Sequence, residues 1–396
     1  MKKLLFVYPD LNLGGSTTAL LTLLNELDYA AVSVDLLLLQ NGNTRLDLLP
    51  KQVNVLTDAA PFDLWAKSAR RKKLLNSIFT GKVFKTLWIV VRAGKKPFIP
   101  YLKAAVNQML AQIHCDICPR TKQRYDTAVA FMELWPTAYV AKKCEAKQKV
   151  AWVHVDYIAA RLAAKLDEKT YGAFDKIVCV SSENAQKMRR VFPSYASKIA
   201  FCENPIDVKE VKRKSLAGPT EFDGFDGFRI LTVARLDSYT KGIDRLLSTA
   251  FQLKKEKFLF MWCIVGAGED EKLKKRAEKL CVANSVLFLG QRENPYPYYT
   301  AADLFVLTSR NEGKPVTVSE AQILGLPALV TEYAAAKEQI SNGKNGVILP
   351  NKDDAPIAET IIALAENPAQ LKSMRDNLKG VASAFHKEDF KKILKL

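Results

Sequence analysis

The sequence predicts an α/β protein made of two doubly wound, Rossmann-like domains. Short apolar and β-branched runs alternate with amphipathic helical stretches from one end of the chain to the other, the pattern of successive βαβ units. Several of these runs, Leu4–Tyr8 and Leu304–Thr308 among them, are continuously apolar, as parallel strands covered on both faces require. There are twelve such runs in 396 residues, more than one open sheet holds comfortably, so two sheets are expected.

The first series of expected strands is Leu4–Tyr8, Ser33–Leu39, Thr127–Phe131, Val150–Val155, Lys176–Ser181 and Ile199–Glu203. The second is Arg229–Ala234, Phe258–Val265, Val286–Leu289, Leu304–Thr308, Ala328–Thr331 and Gly346–Leu349. Between them, Asn204 to Gly227 collects Pro205, Gly218, Pro219, Gly224 and Gly227 with no clear periodicity, which marks the domain boundary. Gly14 and Gly15 stand between the first strand and the helical run Thr17–Leu27, where a backbone or ligand approaches closely and a helix N-terminus favours negative charge. The tail from Pro368 reads as two short helices.

Composition narrows the function classes. No run approaches the roughly 18 apolar residues that a membrane span needs, and the apolar start Leu4–Tyr8 is too short for a secretory leader. Seven cysteines, an odd number, do not make a disulfide framework. Cys115 and Cys118 form a lone C-x-x-C without a second pair, a poor metal site, and Cys179 and Cys263 read as core residues. A cytoplasmic protein is expected. The net charge of +17 is uneven: residues 1–200 carry 30 Lys and Arg against 16 Asp and Glu. Between Asp63 and Asp116 there are eleven basic residues and no acid, interleaved with Phe79, Phe84, Trp88, Phe98 and Tyr101. Such a segment suits nucleic acid, an anionic membrane surface or an acidic substrate.

The chemistry-bearing motifs lie in the second half. In VARLDSYTKG, Arg235 and Lys241 occupy the loop after a predicted strand, where ligands of open α/β sheets bind, so both cations can meet phosphates. In SRNEGKPVTVSEAQILGLP, Glu312 and Gly313 sit in the loop after another strand, and Pro315 suits the first turn of a helix. That helix N-terminus offers amides to a phosphate. Glu320, on its second turn, can accept two hydroxyl hydrogen bonds, as a ribose diol requires. Glu312 is placed for a sugar hydroxyl or a developing positive charge. The G-x-G-x-x-G fingerprint is absent at Gly14-Gly15 and at Gly266-Ala-Gly268, which removes support for a nicotinamide-dependent dehydrogenase.

Together, the Glu-x7-Glu element of Glu312 and Glu320, the Arg235–Lys241 pair and the stretch NPYPYYTAADLFVLTSRNEG resemble the retaining family 4 glycosyltransferases of the GT-B fold, of the bacterial capsular, exopolysaccharide and lipopolysaccharide type. KVAWVHVDY and KIVCVSSENAQK resemble the same family's N-terminal domain. Lys241 departs from the pattern, standing one position further from Arg235 than is common. The resemblance implies two Rossmann-like domains facing a central cleft. Residues 1–205 would bind the acceptor, with the basic segment 67–103 facing the inner surface of the plasma membrane. Residues 206–380 would bind the nucleotide-sugar, and 381–396 would form a helix packing back on the first domain.

It also implies roles. Arg235 and Lys241 would hold the diphosphate, Glu320 the ribose and Glu312 the donor sugar, with Gly313, Lys314 and Pro315 completing the donor loop. Gln291 and Arg292 would lie near the base, Gly14 and Gly15 would line the cleft, and His154 would reach the donor sugar hydroxyls. The implied activity is transfer of a hexose, with retention, from a UDP-sugar in preference to a GDP-sugar, to a lipid-linked or polysaccharide acceptor. No cofactor and no metal are expected, since no Asp-x-Asp stands at a suitable strand end and the cations can replace a metal. The alternatives are another GT-B enzyme, such as a nucleotide-sugar 2-epimerase, and a basic nucleic-acid-binding protein. The latter lacks any helix-turn-helix, zinc-finger or RNA-binding signature and leaves both glutamates unexplained.

Overall fold

The computed structural model describes residues 1–12, 14–39, 45–56, 84, 88, 98–268, 270–353, 355–381 and 385–396. Within these the chain forms two units, Met1–Pro205 with Phe385–Leu396, and Ile206–Ala384.

The first unit is a wholly parallel sheet of β1 (Lys2–Tyr8), β2 (Val32–Leu38), β3 (Val53–Leu56), β4 (Arg124–Ala130), β5 (Glu145–Val153), β6 (Lys176–Cys179) and β7 (Ile199–Phe201). Their order is β3-β2-β1-β4-β5-β6-β7. Alternation along β1 shows why the runs are continuously apolar: Leu5 and Val7 enter one core, Leu4, Phe6 and Tyr8 the other. Both faces are covered, so both are predominantly apolar. The terminal helix Lys387–Leu394 completes one of these faces, burying Phe390, Ile393 and Leu394 against Phe6 and Trp152. Buried Gln148 donates to the Ile393 carbonyl at 3.0 Å and anchors the helix end.

The second unit is a parallel sheet of β8 (Phe228–Val233), β9 (Phe260–Val265), β10 (Val286–Phe288), β11 (Leu304–Leu307), β12 (Ala328–Thr331) and β13 (Gly346–Leu349). Its order is β10-β9-β8-β11-β12-β13, and it too separates two cores.

The structure departs from these expectations at β3, at the strand ends and at Pro315. β3 was not expected; it is a four-residue edge strand of mixed burial, paired on one side only, and carries no apolar run. Most expected strands run too far at their carboxyl ends: His154, Ser181, Glu203 and Thr308 all lie past the last strand residue. There the chain leaves the ladder to build the loops of the ligand-binding edge. Pro315 is the N-cap of the helix Val316–Ile323, just outside its first turn. Of the basic segment 67–103, only residues 84, 88 and 98–103 are described; the rest of that expectation lies outside the described residues. Phe84 and Trp88 are exposed, whereas Tyr101 is buried. No helix among the described residues is long and apolar enough to cross a membrane.

Candidate active site

Strand order in the second sheet reverses between β8 and β11, and the loops beyond the carboxyl ends of those strands flank the crevice where such sheets take ligands. These two loops carry Arg235 and Lys241, and Glu312 to Pro315. Asp237 caps the short helix Ser238–Lys241, accepting from the Tyr239 and Thr240 amides. Burial acts to raise its pKa, but hydrogen bonds from the Thr240 hydroxyl and these amides prevail and hold it below the usual carboxylate value. The helix ends at Gly242, whose φ of 66° favours glycine, and where any Cβ would collide with the Thr308 carbonyl. The two loops therefore touch backbone to backbone.

Side chains complete the junction. Lys241 Nζ lies 2.6 Å from Glu312 Oε1, and the Ser309 hydroxyl donates to the same oxygen at 2.7 Å. The Glu312 carboxylate is nearly covered, at 9% exposure. The extra residue between Arg235 and Lys241 thus does not prevent the lysine from reaching the glutamate. Behind them, the Arg310 amide donates to the Thr240 carbonyl at 2.8 Å, and its guanidinium grips both Asp244 oxygens at 2.6 and 2.8 Å. Arg235 is mostly exposed and only leans on Asp237 at 3.4 Å.

The helix Val316–Ile323 follows directly. No side chain caps it and no acid stands in its first turn, so its own sequence leaves its N-terminal dipole without a compensating negative charge. Gln339 holds the entrance, donating to the Pro315 carbonyl at 3.1 Å and to Ser319 at 2.8 Å. Lys314 lies 3.7 Å from Glu338. Glu320 is carried inward and is buried, accepting from the hydroxyls of Tyr296 at 3.0 Å and Tyr299 at 3.1 Å. Burial raises its pKa, opposed by these two bonds. Two of its roughly four lone-pair sites are thus taken by tyrosines. Sequence reasoning missed both, although NPYPYYTAAD displays them.

Gln291 is exposed, and Arg292 pairs with Glu221 at 3.1 Å; Glu221 also accepts from Tyr298 at 2.5 Å. Gly14, Gly15 and His154 belong to the first unit. Gly14 is the N-cap of the helix Gly15–Asn25, with open space where a Cβ would stand. His154 follows β5; its ring meets Phe131 edge-on at 5.0 Å, and its Nε2 is buried with no hydrogen-bond partner among the described residues. Burial pushes its pKa down to about 4, against a hydrogen bond to the Phe131 main chain. Sequence reasoning also missed Glu133, a buried carboxylate after β4 that accepts from the His154 amide at 3.1 Å. Its signal was an acid directly after an apolar strand, in FMELWP. Cys115 and Cys118 are buried and not joined in a disulfide, the Cys115 thiol donating to the Ala138 carbonyl.

The two units are those of the GT-B fold. Residues 225–381 match the family described as glycosyl transferases group 1. An uncharacterized glycosyltransferase of Haemophilus influenzae is 32% identical over 149 residues, 37% of this chain and 42% of its own length. The lipopolysaccharide core biosynthesis mannosyltransferase LpsB of Rhizobium meliloti is 30% identical over 110 residues, 27% of this chain and 31% of its own. The chain thus spans less than half the length of either curated relative. Anabaena HepE, solved in complex with UDP-glucose, shares the fold with a TM-score of 0.69 at 16% identity, over 100% of this chain and 98% of that one.

Proposed function

We propose that this chain is a retaining glycosyltransferase that moves a hexose from a UDP-sugar to a lipid-linked or polysaccharide acceptor in bacterial surface-polysaccharide synthesis. The observation that carries the reading is the junction of Lys241 and Glu312 at the switch point of the second sheet, directly before an uncapped helix N-terminus. It lies inside the segment that matches the glycosyl transferases. The UDP-glucose held by HepE supports uridine as the base, and the role of LpsB supports a surface glycan as product.

In this reading the bond between the anomeric carbon and the diphosphate oxygen breaks. Negative charge grows on the leaving group and positive charge on the sugar ring. Arg235, Lys241 and the helix N-terminus stabilise the diphosphate, a preorganised electrostatic role. Glu312 and His154 act on the sugar, and Glu320 on the ribose. Gly313, Lys314 and Pro315 shape the donor loop, and Gln291 and Arg292 border the base. Gly14 and Gly15 are further donor-binding positions in this reading. The acceptor oxygen attacks from the face the diphosphate leaves, and the departing phosphate takes its proton. The cations make a metal unnecessary, so activity survives excess EDTA; loss on chelation with recovery on magnesium would end that part of the mechanism. The basic segment 67–103 docks on anionic lipid, each basic residue near the surface contributing about 1 kcal/mol. Liposome flotation that ignores lipid charge and salt would sink the docking role.

Calorimetric titration with UDP, GDP and their sugars tests the donor site. UDP binding that weakens about tenfold or more in the Arg235→Ala protein is expected from loss of a charge-assisted contact. Equal and unaffected UDP and GDP affinities in both proteins would remove the assignment. Conversion of the donor to its epimer without any acceptor would replace transfer by epimerisation.

A further inference from the structure

We propose that Glu133 is a positioning residue for His154: its carboxyl holds the main chain past the end of β5 and so sets where the imidazole stands. The inference rests on the role given to His154 above. Strand order in the first sheet reverses between β1 and β4, so the loop after β4 lies at that unit's switch point. Glu133 stands there, 7% exposed, with Oε2 3.1 Å from the His154 amide. Among the described residues it makes no ion pair; its other hydrogen-bond donor is its own amide. A buried carboxyl without a cation is unfavourable for folding, and burial accordingly pushes its pKa up.

A second unfavourable feature adjoins it. Leu134 has φ 65° and ψ −99°, a backbone conformation that a leucine rarely adopts. The loop is nevertheless held tightly. The Thr137 hydroxyl donates to the Met132 carbonyl at 2.8 Å, and the Ala138 amide to the Leu134 carbonyl at 2.9 Å. Strain and an unpaired buried acid meet at one loop of a ligand-binding edge.

The consequence falls on His154, which is gripped twice by the chain just past β4. Glu133 takes its amide, and the Phe131 main chain takes a ring hydrogen bond. Since Nε2 has no partner among the described residues, that bond uses Nδ1–H. The ring is thereby held as the neutral Nδ1–H tautomer, and Nε2 presents a lone pair that accepts a hydrogen bond from a sugar hydroxyl.

The test compares Glu133→Met, which fills the space without an acceptor, with Glu133→Gln, which keeps one. Turnover is read as UDP released from UDP-glucose, donor affinity by UDP titration, and ring position by the imidazole nitrogen resonances of ¹⁵N-histidine protein, assigned with His154→Ala. The Met variant should lose about tenfold in kcat with UDP affinity unchanged, and the Gln variant should stay within about threefold of the parent. The His154 resonances should move in the Met variant and return in the Gln variant. Should the Met variant fail to fold, Glu133→Asp withdraws the acceptor by one methylene and is expected to behave likewise. Parent-like turnover and resonances in the Met or Asp variant, with His154→Ala still inactive, would overturn the positioning role and leave the transferase reading standing. Parent-like turnover in His154→Ala would instead remove the role of the histidine, while the resonances still decide whether Glu133 positions it.

Discussion

Lys241 and Glu312 show how two residues separated by 71 positions in sequence join two loops at one contact. Their ion pair is largely covered, so removing the lysine leaves a desolvated carboxylate without its cation, which costs more than the pair itself contributes. Lys241→Ala should therefore weaken UDP binding and also lower the stability of the second unit, by about 1–3 kcal/mol in chemical denaturation. Glu312→Gln keeps the shape and removes the charge; turnover should fall more than donor affinity, as for a group acting on the transition state. A Gln variant with full turnover would clear Glu312 of any part in catalysis. Glu320 calls for a different substitution. Alanine there would strand the Tyr296 and Tyr299 hydroxyls, so a loss of binding would be confounded with a loss of packing. Glu320→Gln retains an acceptor for one tyrosine and is the cleaner probe.

At the scale of elements, the loops after β8 and β11 hold their geometry through Gly242 and Arg310. Gly242→Ala must be strained, because φ is positive and its Cβ would meet the Thr308 carbonyl. The second unit should lose more than about 1 kcal/mol, and UDP affinity should fall with it because Lys241 is the adjoining residue. Unchanged denaturation midpoint and affinity would show that the two loops do not need their backbone contact. Arg310 was legible only as one cation among 59. Its bidentate hold on Asp244 and its bond to Asp353 at 2.8 Å depend on three segments meeting, which no local pattern encodes. A lysine cannot reproduce the fork. Arg310→Lys is expected to reduce donor affinity, read by UDP titration, although no donor contact is assigned to the residue.

At the scale of the whole molecule, two buried groups of the first unit give opposing pH dependences. His154 is held neutral, with a folded pKa near 4 against an ordinary 6.5. Its contribution to stability is present above pH 6.5 and is lost as pH falls towards 4. Asp167 is raised from 3.8 to about 6, by burial above all, against hydrogen bonds from Gln108 and Tyr157. Its contribution is full below pH 3.8 and is lost as pH rises through 6. Between pH 4 and 6 the two slopes oppose each other. The stability of His154→Gln relative to the parent should thus improve on acidification from pH 6.5 to 4, by a shift on the order of 2–3 kcal/mol. Asp167→Asn should show the reverse, improving relative to the parent as pH rises from 3.8 to 6. Parallel pH profiles for parent and variants would mean that neither group is held in the stated form.

Apolar continuity determined the parallel sheets, because a strand covered on both faces takes a polar side chain only where a hydrogen-bond partner is supplied. The Glu-x7-Glu spacing likewise carried the loop and helix of the candidate site, since a strand-end loop closed by Pro315 marks a helix start and places Glu320 on its second turn. The edge strand β3 escaped, having only one neighbour and no apolar run. So did the strand ends, where ladder pairing stops although the residues keep their β character. What only the tertiary structure decided was pairing across distance: Glu312 with Lys241, Glu320 with its two tyrosines, Glu133 with the His154 amide. A carboxylate in a sequence is solvated by default, and it becomes a buried, shared acceptor only when the fold removes water and supplies donors from elsewhere in the chain.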